Sequence, residues 1–238
     1  MFQPIGKKIT LSQEIEQKIE ASIIQKKFNP GEKLPTENEL CDMFAVSRTA
    51  LREALRMLSG RGLITIRKGS GIYVNDYSKA DVTRPMSLYL DLNFDKKIIL
   101  DVIQIRKTLE PLICEMAAKN RKEVHIQQLE KNIKNFKACK IEDYNKESHL
   151  DFQFHTIITQ ASGNTLIPIM MEPLLQQMPK IRLLVYKKID QAKSSALDYH
   201  LLIYNMIVKQ DAQGAFEAMK EHMRIAEKHS RAIVNQLD

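Results

Sequence analysis

The stretch 31–74, GEKLPTENELCDMFAVSRTALREALRMLSGRGLITIRKGSGIYV, constrains the fold of this chain more than any other. Thr36 and Glu39 have capping-box spacing, and Pro35 stands just ahead of them, so a helix starts here. Leu40, Met43 and Phe44 then fall on one face. Ala45-Val46 make a turn and Ser47 caps a second helix, whose apolar side is Leu51, Ala54, Leu55 and Leu58. Gly60 and Gly62 end it. Residues 63–67 and 72–75 alternate like a small hairpin around Lys68-Gly69-Ser70-Gly71.

The second helix carries Arg48, Arg52 and Arg56 at intervals of four, so three guanidiniums line one solvent stripe opposite the apolar one. A solvated cationic face would read the same way. The short turn between two helices, the basic hairpin and the polar helix start favour a helix-turn-helix instead. Arg reaches guanine O6 and N7 with two bonds, while Ser47 and Thr49 reach phosphate or base edges. The segments PGEKLPTENEL, VSRTALREAL, GLI and KGSGIYV resemble the GntR family of bacterial transcription regulators. The resemblance implies a winged helix-turn-helix. Its DNA contacts carry over onto Ser47, Arg48, Thr49 and Arg52 in the recognition helix and onto Lys68 and Gly69 in the wing. Asn38 stands where the family often has Arg, so a contact there is expected to be weaker or different.

The net charge is +7, and residues 1–80 hold 13 Lys and Arg against 9 Asp and Glu, so over half of the excess lies in the first third. A basic excess favours polyanionic partners without proving one. Hydrophobic residues, 44% of the chain, can fill a sizeable core. No apolar run is long enough to span a bilayer, and the start, MFQPIGKKIT, lacks the apolar core of a signal peptide. Cys41, Cys114 and Cys139 are sparse and widely separated, which points to reduced thiols and a cytoplasmic protein, and the absence of CxxC argues against a cysteine-rich zinc site.

The expected fold is mainly α. A DNA-binding domain with a small β-hairpin wing occupies 1–75, a linker and connecting helix 76–95, and an all-helical bundle 96–238. The first helix covers roughly 10–27, with Leu11, Ile15, Ile19 and Ile23 on one face, and the connecting helix roughly 80–92, interrupted at Pro85. Only helical periods follow, at roughly 96–119, 122–140, 143–161, 165–188, 191–209 and 212–236. Asn120, Gly163-Asn164 and Gln210-Asp211 mark breaks. Pro168, Pro173 and Pro179 should kink or split the fourth of these helices.

Asp151 and His155 are four apart and project from one helix face, beside Phe152, Phe154 and Ile158. His200 adjoins the Leu201-Leu202-Ile203 run, and His222 lies between Met219 and Met223. Each could be an ordinary hydrogen-bonded, half-buried side chain. Together they are also a suitable ligand set for a divalent transition metal, and the pattern alone leaves both readings open. The segments DVIQIRKTLEPLICEMAAKN, DFQFHTIITQASGN, DYHLLIYNMIV and AFEAMKEHM are similar to the C-terminal effector (FCD) domain of FadR-type GntR regulators. The resemblance implies a metal held by Asp151, His155, His200 and His222, with zinc the first choice and nickel or manganese the alternatives. His125, His149 and His229 match no ligand position and are expected at the surface. The family further implies a small carboxylate effector at or near the metal. Arg106, in the R-x-x-L-E segment, would pair with that carboxylate or with Glu110. Asn164 would donate to the effector or cap the next helix, with capping the favoured role.

These observations point to a homodimeric, ligand-responsive transcription regulator, expected to be a repressor, on a double-stranded operator with a short inverted repeat. The rival is a metal-dependent enzyme fused to a DNA-binding domain. No general base is evident beside the ligands, since Glu221 adjoins His222 but points about 100° away on a helix. A structural DNA binder with a vestigial bundle is disfavoured by the intact ligand set.

Overall fold

The computed structural model describes residues 9–140, 143–189 and 191–236, and the chain divides into two compact units after Asp81. The first unit begins with α1 (Leu11–Ile24), α2 (Glu37–Phe44) and α3 (Arg48–Gly60). Capping boxes start α1, through Thr10 and Gln13, and α2, through Thr36 and Glu39. The Ser47 hydroxyl accepts the Ala50 N–H at the head of α3. Ala45 adopts a left-handed backbone (φ 53°) between α2 and α3, the tight turn expected there. The wing pairs β1 (Ile64–Arg67) with β2 (Gly71–Val74) antiparallel, Ile64 opposite Val74 and Arg67 opposite Gly71. Lys33 bridges to Tyr73 on the other side of β2. Gly71 has φ +135°, and a Cβ there would lie 2.3 Å from the Lys33 side chain, so this corner requires glycine.

Ile15, Ile19, Leu40, Leu51, Leu55, Leu58, Ile64 and Ile72 form the core of this unit. Each buried Leu or Ile contributes roughly 1.5–3 kcal/mol. Two residues expected on apolar faces are outside it: Leu11 is 50% and Met43 71% exposed. Both lie in an end turn of their helix, and eight-residue α2 buries only Leu40 fully.

The second unit contains most of α4 (Lys79–Leu92), followed by α5 (Lys96–Asn120), α6 (Glu123–Lys137) and α7 (Tyr144–Ala161). It continues with α8 (Leu166–Leu175), α9 (Met178–Lys188), α10 (Gln191–Lys209) and α11 (Ala212–Val234). Contrary to expectation, Pro85 lies inside an unbroken α4. A proline removes one ladder bond, and α4 remains anchored by buried Thr83 and Leu90 and by a Ser87–Gln176 side-chain bond of 2.7 Å. The helix expected over 165–188 is split at Gln176-Gln177, with Pro173 in α8 and Pro179 at the start of α9. At the end of α7, Gly163 has φ +79°, and a Cβ there would sit 2.9 Å from that of Asn120. The bundle core runs through Phe154, Met178, Ile203, Met219 and Met223, and α5 and α11 pack along each other.

Candidate functional site

Four residues from three helices converge inside the bundle. Asp151 and His155 come from α7, His200 from α10 and His222 from α11. All four are buried, and one ligand atom from each lies within 4.8 Å of the others. His155 Nε2 is 3.3 Å from His222 Nε2, and His200 Nε2 is 3.4 Å from Asp151 Oδ1. Two nitrogens bound to one tetrahedral ion at 2.0–2.1 Å stand about 3.3 Å apart, so these edges fit a shared ion. Phe154 stacks on the His200 ring at 3.7 Å between centroids and fixes its plane.

The surrounding groups support that use. His155 Nδ1 lies 2.5 Å from Glu110 Oε2, and Arg106 Nε donates to the other Glu110 oxygen at 2.5 Å. An Nδ1–H donated to Glu110 leaves the His155 Nε2 lone pair directed at the cluster. Arg182 Nε donates to Asp151 Oδ2 at 2.8 Å, and the Tyr186 hydroxyl to Oδ1 at 3.3 Å. Burial opposes ionisation of Asp151, but Arg182 and the neighbouring imidazoles hold its carboxyl well below the usual range. Burial likewise opposes ionisation of Glu110, and Arg106 and His155 bring it down to about 2. Burial pushes His200 down to about 4, and burial with its two imidazole neighbours pushes His222 well below the ordinary value. At neutral pH the set therefore offers a carboxylate and at least two neutral imidazoles, as metal ligation requires. His200 Nδ1 and Arg182 Nη2 are buried without a partner, and His200 Nε2 has only the long contact with Asp151. Such orphans cost about 1–3 kcal/mol each, and a ligand would relieve them.

A narrow cleft reaches this cluster between α9, α10 and α11. It is lined by Arg182, Ser195, His222 and His229, and its volume of about 10 Å³ is room for about one water. His229, expected at the surface, is therefore half-buried beside a ligand, because α11 turns it towards the cleft. His149 is exposed, and half-buried His125 accepts the Lys122 N–H at the head of α6. Of the two roles open to Arg106, the structure shows the ion pair with Glu110; the guanidinium is 1% exposed, and its Nη2 faces Met223 Sδ. Asn164 is exposed, and its Oδ1 accepts the Leu166 N–H in the turn before α8, whose N-cap is Thr165. Glu221 is taken up by Arg224. Sequence reasoning missed Arg182 and Tyr186, although a cation and a phenol four apart among Met178, Ile181 and Val185 were a usable signal.

In the first unit, Ser47, Arg48, Thr49, Arg52 and Arg56 are all exposed along the start of α3, while Leu51, Ala54, Leu55 and Leu58 on its other side are fully buried. Arg52 Nε donates to Glu37 Oε2 at 2.8 Å, which orients the guanidinium from α2. Asn38 on α2 is exposed, as are Lys68 and Gly69 at the wing tip, where Gly69 has φ +74°. The Arg67 guanidinium sits over the Tyr73 ring at 4.8 Å, and Ser70 bonds the Tyr73 hydroxyl at 2.8 Å, bracing that tip.

The family model described as "Bacterial regulatory proteins, gntR family" matches residues 11–74, and the FCD domain model matches residues 101–225. The chain belongs to the GntR family. Its second unit is an FCD domain, and GntR membership makes it a DNA-binding transcription regulator and not an enzyme. It is 32% identical over 220 residues to YcbG, an uncharacterized HTH-type transcriptional regulator of Bacillus subtilis (strain 168), covering 90% of this chain and 88% of that one. It is 27% identical over 207 residues to the galactonate operon transcriptional repressor of Escherichia coli (strain K12), covering 82% and 86%. Among solved structures, a GntR protein of Streptococcus agalactiae superposes with a TM-score of 0.66 at 25% identity, covering 91% of this chain and 99% of that one. Among the described residues of this GntR regulator, no helix is long and apolar enough to cross a membrane.

Proposed function

We propose that this GntR regulator is a cytoplasmic, homodimeric repressor whose operator affinity is set by a small carboxylate bound beside a divalent metal. The convergence of Asp151, His155, His200 and His222 within 4.8 Å carries this reading. The chemistry of the set suits zinc, with nickel or manganese as alternatives. The galactonate relative, a repressor by name, supports the sign of regulation. Ser47, Arg48, Thr49, Arg52, Lys68 and Gly69 would contact the operator, with Asn38 at its margin.

The anionic character of the effector follows from charge. Asp151 and Glu110 are balanced by Arg106 and Arg182, all buried. A bound dication would leave an excess of about +2 in this interior, which one carboxylate or hydroxide would halve. When bound, the metal supplies an open coordination position for one carboxylate oxygen. Arg182, which lines the cleft and has an unpartnered Nη2, is a better candidate than the Glu110-paired Arg106 to bind the second. Because the ligands come from three helices, an ion on all four ties α7, α10 and α11 together and stabilises the folded form by mass action.

The test is a thermal melt and an operator titration, each with and without chelator and a panel of short carboxylic acids. Chelation should lower Tm and remove the acid response. His200→Ala should behave likewise and keep wild-type operator affinity without acid. A full acid response in metal-free protein would sink the coupled model and move the effector elsewhere in the bundle.

A further inference from the structure

The two units divide after Asp81, inside α4, so this helix is the covalent link from one to the other. Residues 82–92 of α4 are thinly packed. Only Thr83 and Leu90 are buried, while Val82, Met86, Leu88, Tyr89 and Leu92 are exposed. Among the described residues, the side-chain hydrogen bonds of 82–92 to other elements all end on one short segment, 176–180. Ser87 Oγ donates to Gln176 Oε1 at 2.7 Å. Gln177 Nε2 donates to Asp91 Oδ1 at 2.9 Å, and Lys180 Nζ donates to the same oxygen at 2.7 Å. Lys180 Nζ also lies 5.1 Å from the centroid of the Phe94 ring, just beyond α4.

That segment ends in the head of α9, and the same helix holds Asp151 through Arg182 and Tyr186. Of the four converging residues, Asp151 alone makes hydrogen bonds to α9 among the described residues. Gln177 and Arg182 stand about 7.5 Å apart along a helix axis, a span that moves as one body. The break at Gln176-Gln177 separates α9 from α8, so α9 can shift without carrying α8 with it. Gln177 is buried, and its Oε1 has no partner. The arrangement seen therefore carries a cost at this joint that a shifted α9 would be free to relieve.

We infer that α9 is a lever between the Asp151 cluster and the DNA-binding unit, and that Asp91 is the positioning residue through which it acts on α4. The stimulus rests on the proposed function: a ligand that takes Asp151 competes with Arg182 and Tyr186 for its two oxygens. Weakening those bonds frees α9, and the clamp on Asp91 passes the shift of its head to α4. Asp91 and Lys180 are each about half exposed, and such ion pairs contribute little to stability. Replacing Asp91 should therefore remove the coupling and leave the bundle folded.

Operator titrations of the full-length protein, zinc-loaded and chelated, give the coupling as a ratio of affinities. The wild-type ratio should depart from one by about fivefold or more, and operator should change zinc affinity by the same factor. Asp91→Ala should bring both ratios to within about twofold of one. Its Tm and its zinc affinity without DNA should match wild type. Asp91→Lys with Lys180→Asp reverses the pair and should restore the ratio, which a simple loss of order in α4 would not allow. An Asp91→Ala protein that keeps the wild-type ratio overturns the lever. A second arm needs no metal. Arg182→Met with Asp151→Asn releases α9 without leaving a buried charge, and hydrogen exchange in 82–92 should then quicken by about threefold or more. In an Asp91→Ala background the same pair should add nothing to the exchange. Unchanged exchange in the released variant overturns the lever. Faster exchange there, together with a wild-type zinc ratio of one, upholds the lever and removes the metal as its stimulus.

Discussion

At the scale of single residues, the charged groups around the Asp151–His155–His200–His222 cluster are organised by one carboxylate that stands outside the four. Glu110 joins Arg106 to His155, and all three are buried. Its removal has two consequences that can be measured apart. Glu110→Gln weakens the orientation of the His155 ring, so metal affinity should fall about 10–100-fold, the usual effect of losing a ligand's outer partner. It also leaves the Arg106 guanidinium buried without its counter-charge, at a cost of about 3–5 kcal/mol. Adding Arg106→Met, of similar bulk and uncharged, should recover much of the lost melting temperature and none of the metal affinity. A single variant that binds metal like wild type in a competition titration would show that the Glu110 contact does not aim the ligand.

At the scale of elements, the proposed operator contacts fall on α3 and on the wing, with different work for each. Arg52 stands one turn into α3 with Glu37 holding its Nε, which leaves its terminal nitrogens free for a base edge. Arg52→Ala should remove operator preference at a cost of roughly 1–3 kcal/mol, if the contact is bidentate to guanine. Lys68→Ala, at the wing tip, should weaken operator and scrambled duplex alike and reduce the salt dependence. Binding to both duplexes at one fixed salt concentration decides this, and an unchanged specificity ratio in Arg52→Ala would misplace the recognition helix. The start of each of these elements was legible in the sequence because caps are local: Thr10, Thr36 and Ser47 bond within three residues of themselves. Asp151, His155, His200 and His222 stood out as polar groups against apolar periods, but that pattern fitted ordinary buried side chains as well, and the family resemblance singled them out as a ligand set. What was missed is long-range. Arg182 and Tyr186 matter only because α9 packs on α7, which places them against Asp151, 31 and 35 residues away in sequence. His229 matters because of the direction in which α11 faces the cleft. The full apolar face expected for α2 failed because only one turn of an eight-residue helix reaches the core.

At the scale of the whole molecule, one recognition helix reads too little DNA to find a site in a genome. Single modules bury about 600–1,000 Å² and gain specificity by pairing on half-sites. A two-fold pair of these chains would place two copies of α3 on an inverted repeat, in successive major grooves about 34 Å apart. The effector then needs to change only the spacing or freedom of the two DNA-binding units. Moving such an equilibrium from 99:1 to 1:99 takes roughly a 10⁴-fold preference for one state, which a metal-anchored carboxylate with an arginine partner can supply. Sedimentation should therefore show a dimer, both free and with one duplex bound per dimer. Inserting about five base pairs between half-sites puts them on opposite faces of the duplex and should reduce affinity to that of a single half-site, whereas about ten should restore part of it. A monomer in all these conditions, or affinity indifferent to the spacer, would reject the two-fold arrangement. In that case the acid would have to act within one chain, by ordering α3 itself.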